Sequence, residues 1–110
     1  KHNIMWQDNE EVTVYLETFK TAEVYCESII LNGYIDWRVP SIYELLSVID
    51  VNETKAIHKA FKYVKSGIYN TDTSFIENSE YFIGVDFTTG KILNDKKTDE
   101  NYIRCVRDIL

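Results

Sequence analysis

The spacing of apolar positions changes several times along the chain. Residues 3–7, NIMWQ, read as a short first strand followed by the acidic turn DNEE. VTVYL at 12–16, β-branched and aromatic, reads as a second short strand. From Thr18 the spacing becomes helical, with Phe19, Ala22, Cys26, Ile29 and Ile30 on one stripe. Thr18 is placed to cap this helix, and Gly33 stands where a glycine just past the last turn ends one. Cys26 lies on the apolar stripe, so its sulfur should face the core.

YIDWRVP, 34–40, is extended, because the proline ring at 40 pushes Val39 out of the helical region. Ser41 and Glu44 then form the S-x-x-E of a capping box, in which each side chain bonds the other's backbone amide. Ile42, Leu45, Leu46 and Ile49 supply the apolar face of this second helix, which should end near Asp50. Residues 51–66 fit two descriptions: a short helix with Ala56, Ala60 and Val64 inward, or a loop with one helical turn. GIYNTDTSF, 67–75, reads as a short strand running into a polar loop. EYFIGVDF at 80–87 is the clearest strand; TTGK turns it, with Gly90 at positive φ, and KILN at 91–94 pairs back. After the solvated DKKTDEN, YIRCVRDIL at 102–110 reads as one last strand with Cys105 in its middle. Helices grouped ahead of an antiparallel sheet indicate an α+β domain, two helices on a small antiparallel sheet with long irregular middle loops.

The 110 residues suit one domain, 1–110, and 45% hydrophobic residues suffice for a core. Many of the eight tyrosines should sit half in and half out of it, since a buried phenol needs a partner. One proline and four glycines leave no visible linker. With 18 acids against 12 bases the net charge is −6, and the bases read as scattered. Nucleic-acid binding neutralises phosphates with Lys and Arg, so it is not expected, and an anionic membrane surface is disfavoured for the same reason. Apolar runs of four or five residues fall far short of the roughly 20 that span a bilayer, so no membrane insertion is expected. The chain starts at Lys1 without a methionine or signal-like stretch and reads as an excised or mature fragment. Cys26 and Cys105 lie in no CxxC pair, and neither His2 nor His58 stands at metal-ligand spacing from them. They are either two buried free thiols or one disulfide joining the early helix to the last strand.

MWQDN, AEVYCESI, GYIDWRVPSIYELLSVID, VDFTTGK and YIRCVRD, in that order, resemble one bacterial family of domains of unknown function, typified by the C-terminal domain of the Legionella collagen-like adhesin. The likeness runs from about residue 4 to 108. It implies a C-type lectin-like fold, related also to formylglycine-generating enzymes. It implies that Cys26 pairs with Cys105, as an early-helix and a late-strand cysteine do in that fold. It further implies an exported bacterial protein, periplasmic, cell-surface or secreted, where disulfides persist. The chain would then be part of a larger exported protein. Where family members carry Tyr-Trp-Ser-Ser-Thr, this chain has Tyr69-Asn70-Thr71-Asp72-Thr73. The adhesin relative is associated with sulfated polysaccharides, which want a basic surface; this acidic domain does not invite that ligand. The calcium motifs of sugar-binding lectins are absent from the sequence.

Two clusters invite a functional reading. Asp36-Trp37-Arg38 could be a sugar platform, the indole stacking while the charges bond hydroxyls. The flanking Pro40, Ser41 and Glu44 favour a structural corner with a buried tryptophan and an arginine bonded within the domain. In the polar loop, Tyr69 could offer a ring face while Asn70 and Asp72 bond hydroxyls, and any ligand is expected there. Asn70, Asp72, Asn78 and Glu80 could line a calcium site, but their spacing is not that of an EF-hand. His58, among Lys55, Lys59 and Lys62, reads as a surface residue. Cys105 between two arginines could be an activated nucleophile only if its thiol were free. The expectation is therefore non-enzymatic recognition of carbohydrate or of another envelope protein, with no catalytic residue, metal or cofactor. The alternatives are a structural module appended to a larger exported protein and, more remotely, an oxidase-like enzyme.

Overall fold

The computed structural model describes residues 3–109. Lys1, His2 and Leu110 lie outside the described residues. The elements run β1 (Ile4–Trp6), a 3-10 turn (Glu10–Thr13), β2 (Leu16–Glu17), α1 (Phe19–Ser28), α2 (Ile42–Leu46), β3 (Ile68–Tyr69), β4 (Tyr81–Asp86), β5 (Lys91–Lys96), β6 (Asn101–Tyr102) and β7 (Val106–Asp108). The class is α+β. The strands form two sheets: β1 with β7, and a five-stranded sheet in the order β2-β6-β3-β4-β5. All neighbours are antiparallel except β3 and β6, which run parallel.

Both helices begin where local chemistry starts them. The Thr18 hydroxyl accepts from the Thr21 amide at 3.1 Å, and the Thr21 hydroxyl accepts from the Thr18 amide at 2.8 Å. Ser41 and Glu44 make the corresponding pair at 3.1 and 2.9 Å. Such caps satisfy amides that the first helical turn leaves orphaned. Each helix stops earlier than expected. In α1, Ile29 is already extended, and Asn32 and Gly33 take φ of 56° and 81° in a two-residue turn. Leu31 and Tyr34 exchange both backbone bonds across it, at 3.1 and 3.0 Å. Asn-Gly is the pairing such a tight turn favours, so Gly33 turns a hairpin rather than ending a helix. Ile30 consequently projects outward instead of joining the stripe.

Three other stretches depart from expectation. Of VTVYL, Val12 and Thr13 end the 3-10 turn, Val14 and Tyr15 donate back to the Glu11 carbonyl, and only Leu16 pairs in a sheet, together with Glu17. Residues 51–66 form turns without a helix. Their backbone bonds go elsewhere: Asp50 N–H donates to Ala56 O and His58 N–H to Val48 O, at 2.9 and 2.8 Å. The last segment is two strands, not one. Between β6 and β7, Gln7 takes over as backbone partner: its amide donates to Cys105 O at 2.8 Å, and its side-chain oxygen accepts from Cys105 N–H at 3.0 Å.

Two apolar clusters result. One gathers Ala22, Cys26, Trp37, Val39, Ile103 and Cys105 under α1. The other gathers Ile42, Leu45, Ile57, Tyr69, Val85 and Phe87 between α2 and the five-stranded sheet. The first contains a disulfide, Cys26–Cys105, with Cα atoms 5.8 Å apart. Closing a loop of 79 residues corresponds to roughly 4–5 kcal/mol in the chain-entropy account. That is a large share of the roughly 5–15 kcal/mol that holds a typical domain together.

Candidate functional site

Trp37 is 2% exposed and belongs to the disulfide cluster, so its ring offers no stacking face. Arg38 forks onto Glu44 at 3.0 and 2.8 Å and reaches Asp108 at 2.8 Å. Glu44 thus holds both the Ser41 amide and the Arg38 guanidinium. Asp36 accepts two bonds from Arg107, at 2.6 and 3.1 Å, and Arg107 lies 3.6 Å from the Tyr34 ring centre. Arg38 also bonds Val106 through both backbone groups, at 2.7 and 2.8 Å. Pro40 is buried, and its carbonyl accepts from the Asp72 amide at 2.9 Å. Residues 36–44 are a corner nailed to the last strand. The Asp36 carboxyl is held below its usual range by the Arg107 hydrogen bonds, and those of Glu44 and Asp108 by Arg38.

The polar loop places its residues differently from expectation. Tyr69 is 1% exposed; its ring packs edge-on to Phe87 and beside Tyr102, and its hydroxyl donates to Lys65 O at 2.7 Å. Burial pushes its phenol above the usual range. Asn70 is fully buried, and its side-chain amide donates to the carbonyls of Glu17, Asn101 and Tyr102 at 2.9, 3.2 and 3.1 Å. Neither can present itself to a ligand here: Tyr69 ends β3, inside the sheet between β6 and β4, and Asn70 just beyond it is buried with its amide on those three carbonyls. Asp72, one residue beyond Thr71, is at the surface. Among the described residues, no three His, Cys, Asp or Glu side chains gather as metal ligands. Both cysteines are in the disulfide, so no thiol is free as a nucleophile.

Asp72 instead joins a cleft of about 230 Å³ lined by Phe19, Glu23, Glu27, Arg38, Val39, Thr71 and Asp72. One wall is α1, whose capping box fixes Phe19, Glu23 and Glu27 four residues apart along one stripe. Phe19 is held against Phe82, with the Lys97 ammonium 4.6 Å from its ring centre. The opposite wall is the segment after β3. The Thr71 hydroxyl donates to Ile83 O at 2.5 Å and accepts from the Thr73 amide at 3.1 Å. The Thr73 hydroxyl accepts from the Ile42 amide at 3.1 Å, which ties this wall to α2. Arg38 and Val39 of the corner close the cleft between the two walls. The cleft therefore draws one part from each cluster singled out in the sequence and a third from α1. That third part was readable: 19, 23 and 27 form a stripe adjacent to the Ala22–Cys26 stripe, with two carboxylates no core would bury.

The Lcl C-terminal domain family matches residues 1–107. The chain belongs to that family. No curated protein matches the chain. The family description is that of a C-terminal domain, a module appended to a larger protein. A disulfide within this Lcl C-terminal domain is compatible with an exported protein. Among the described residues no helix is long and apolar enough to cross a membrane.

Proposed function

We propose that this domain is a non-enzymatic recognition module of an exported bacterial protein, and that it takes a carbohydrate in the cleft between α1 and the Thr71–Asp72 segment. The observation that carries the reading is the cleft's lining: three carboxylates and one guanidinium around a phenyl ring. Carboxylates accept from paired sugar hydroxyls, a guanidinium donates to ring and hydroxyl oxygens, and an aromatic side chain meets the apolar C–H face. The volume, about 230 Å³, lies below the ~300–1,000 Å³ of sites for drug-sized ligands and suits a single sugar ring. Arg38 is already shared by Glu44 and Asp108, so the lining is acidic on balance. That favours neutral or amino sugars over sulfated ones, which like charge would repel. The C-type lectin-like relation implied by the family resemblance is in keeping with recognition through surface loops on a disulfide-closed scaffold. Recognition of another envelope protein through the same cleft is the nearest alternative.

A glycan array carrying neutral, amino and sulfated sugars tests this. Retention of a neutral or amino glycan is expected, with at least a tenfold loss in Glu27→Gln/Asp72→Ala at unchanged melting temperature. An array without retained neutral or amino glycans, or full affinity in the double variant, overturns it.

A further inference from the structure

The irregular loop that follows α2 carries a second surface of opposite charge. From Thr54 to Thr71 there is no acid, and Lys55, Lys59, Lys62 and Lys65 fall within this stretch together with His58. They make up four of the chain's 12 bases, and the remaining eight are set against all 18 acids. The bases are therefore not evenly scattered: the loop is a basic patch on an acidic body. All four lysines and His58 are exposed.

The patch borders a groove of about 220 Å³ whose lining includes Ile57, Phe61 and Val64, with Lys55, Lys59 and His58 along the rim. Glu53 is the one acid in that lining. The floor is fixed although the loop has no regular structure. Arg104, fully buried, donates to Gln7 O at 2.7 Å, to the Tyr63 carbonyl, and to Asp8 at 3.3 Å. Its guanidinium lies 4.4 Å from the Phe61 ring centre, and Trp6 packs edge-on to the same ring. Asp8 accepts from the Lys62 and Tyr63 amides, both at 2.9 Å. The Lys55 ammonium donates to Val64 O at 3.3 Å, bridging one end of the groove to the other. The groove is thus shaped before anything enters it, which reduces the ordering cost of binding.

We propose that the 53–64 groove docks an acidic polypeptide segment that carries apolar side chains between its carboxylates. The lysine rim supplies the charge complement and the Ile57–Phe61–Val64 floor the apolar contact. A polyanion without apolar groups satisfies the rim but leaves the floor wet, and this separates the two kinds of ligand. The surface is distinct from the α1 cleft, which is acidic and shares no lining residue with it.

The test uses a fluorescein-labelled octapeptide of alternating glutamate and leucine, with octaglutamate and dextran sulfate as competitors. Fluorescence anisotropy should show saturable binding that weakens as salt rises. Octaglutamate should compete at least fivefold less well than the unlabelled alternating peptide. Lys59→Glu/Lys62→Glu should weaken binding at least tenfold at unchanged melting temperature. Octaglutamate or dextran sulfate competing as well as the alternating peptide would make this a bare anion surface and overturn the proposal. A salt-sensitive dimer in sedimentation velocity that persists with the peptide in excess would assign the groove to a second copy and overturn it equally. So would full affinity in the charge-reversed variant.

Discussion

The corner at 36–44 and the loop at 51–66 solve one problem with different mixtures of near and distant partners. Each must hold an irregular backbone in a fixed shape without a long helix or strand. The corner starts from neighbours in sequence, with Pro40 setting the turn, Ser41 and Glu44 capping each other and Glu44 holding Arg38, and then ties that shape to the last strand through Arg38 and Asp36. The loop has short turns of its own, but its far end is fixed by partners far away along the chain. Its amides at 62 and 63 bond Asp8, and the Tyr63 carbonyl bonds Arg104. Capping pairs between near neighbours survive when a distant tie is cut. A shape fixed by distant side chains depends on the whole fold being in place, and it can open by itself when those partners are removed.

Replacing Trp37 with alanine should produce the largest effect. It empties the centre of the disulfide cluster, and such core truncations typically cost about 3–5 kcal/mol. Denaturant melts should show global destabilisation; a variant that melts like the parent would mean the corner does not rest on its tryptophan. Asp8→Ala should cost less, roughly 1–3 kcal/mol, the range for leaving buried hydrogen-bonding groups unpaired. Its effect should also be regional. Hydrogen exchange at the Lys62 and Tyr63 amides should accelerate while protection in α2 is unchanged, and uniform acceleration would erase the distinction between the two regions. The smallest effect should be that of acid on the corner. Asp36, Glu44 and Asp108 have carboxyls lowered by Arg107 and Arg38. Their contribution is complete above the unfolded carboxyl pKa of about 4 and is lost as pH falls through their depressed folded values. Asp36 and Asp108 are largely exposed and Glu44 is part-buried, so the decline should be modest and should shrink with added salt. A melting temperature flat from neutral pH down to pH 2 would show that the ion pairs hold geometry without contributing stability.

What the sequence disclosed follows the same division. The Thr18 cap, the Ser41–Glu44 capping box, the Gly90 turn at φ 81° and the β4–β5 hairpin depend on residues a few positions apart. The disulfide came from the family resemblance, since spacing alone left two free thiols equally open. The early end of α1 was written in Asn32-Gly33, a hairpin signal standing where a helix-ending glycine also fits. The split of the last strand was hidden, because Gln7 is 98 residues from Cys105 and nothing local marks it as that residue's backbone partner. The inward turn of Tyr69 and Asn70 was hidden as well. A two-residue strand has no periodicity to read, and its central place in the sheet is set by pairing with β4 and β6. The α1 wall of the cleft was open to reading as a stripe, yet acids on a helix face ordinarily mean only that the face is wet.

The pairing of β1 with β7 bears on how the domain carries mechanical load. Ile4 faces Asp108 and Trp6 faces Val106, and the Ile109 amide donates to Asn3 O at 2.8 Å. The chain therefore enters and leaves side by side, and tension applied across those two points opens this short zipper one rung at a time. Once it has opened, the force reaches the covalent link between residues 26 and 105. The segment enclosed by that link, with residues 36–44, the 53–64 groove and the β3–β4–β5 hairpin region, then stays out of the load path, whereas Phe19 and Glu23 of the α1 cleft lie ahead of it. A molecule tethered through this domain could be stretched at its ends while the 53–64 groove stays within the covalently closed segment and the α1 cleft loses one wall.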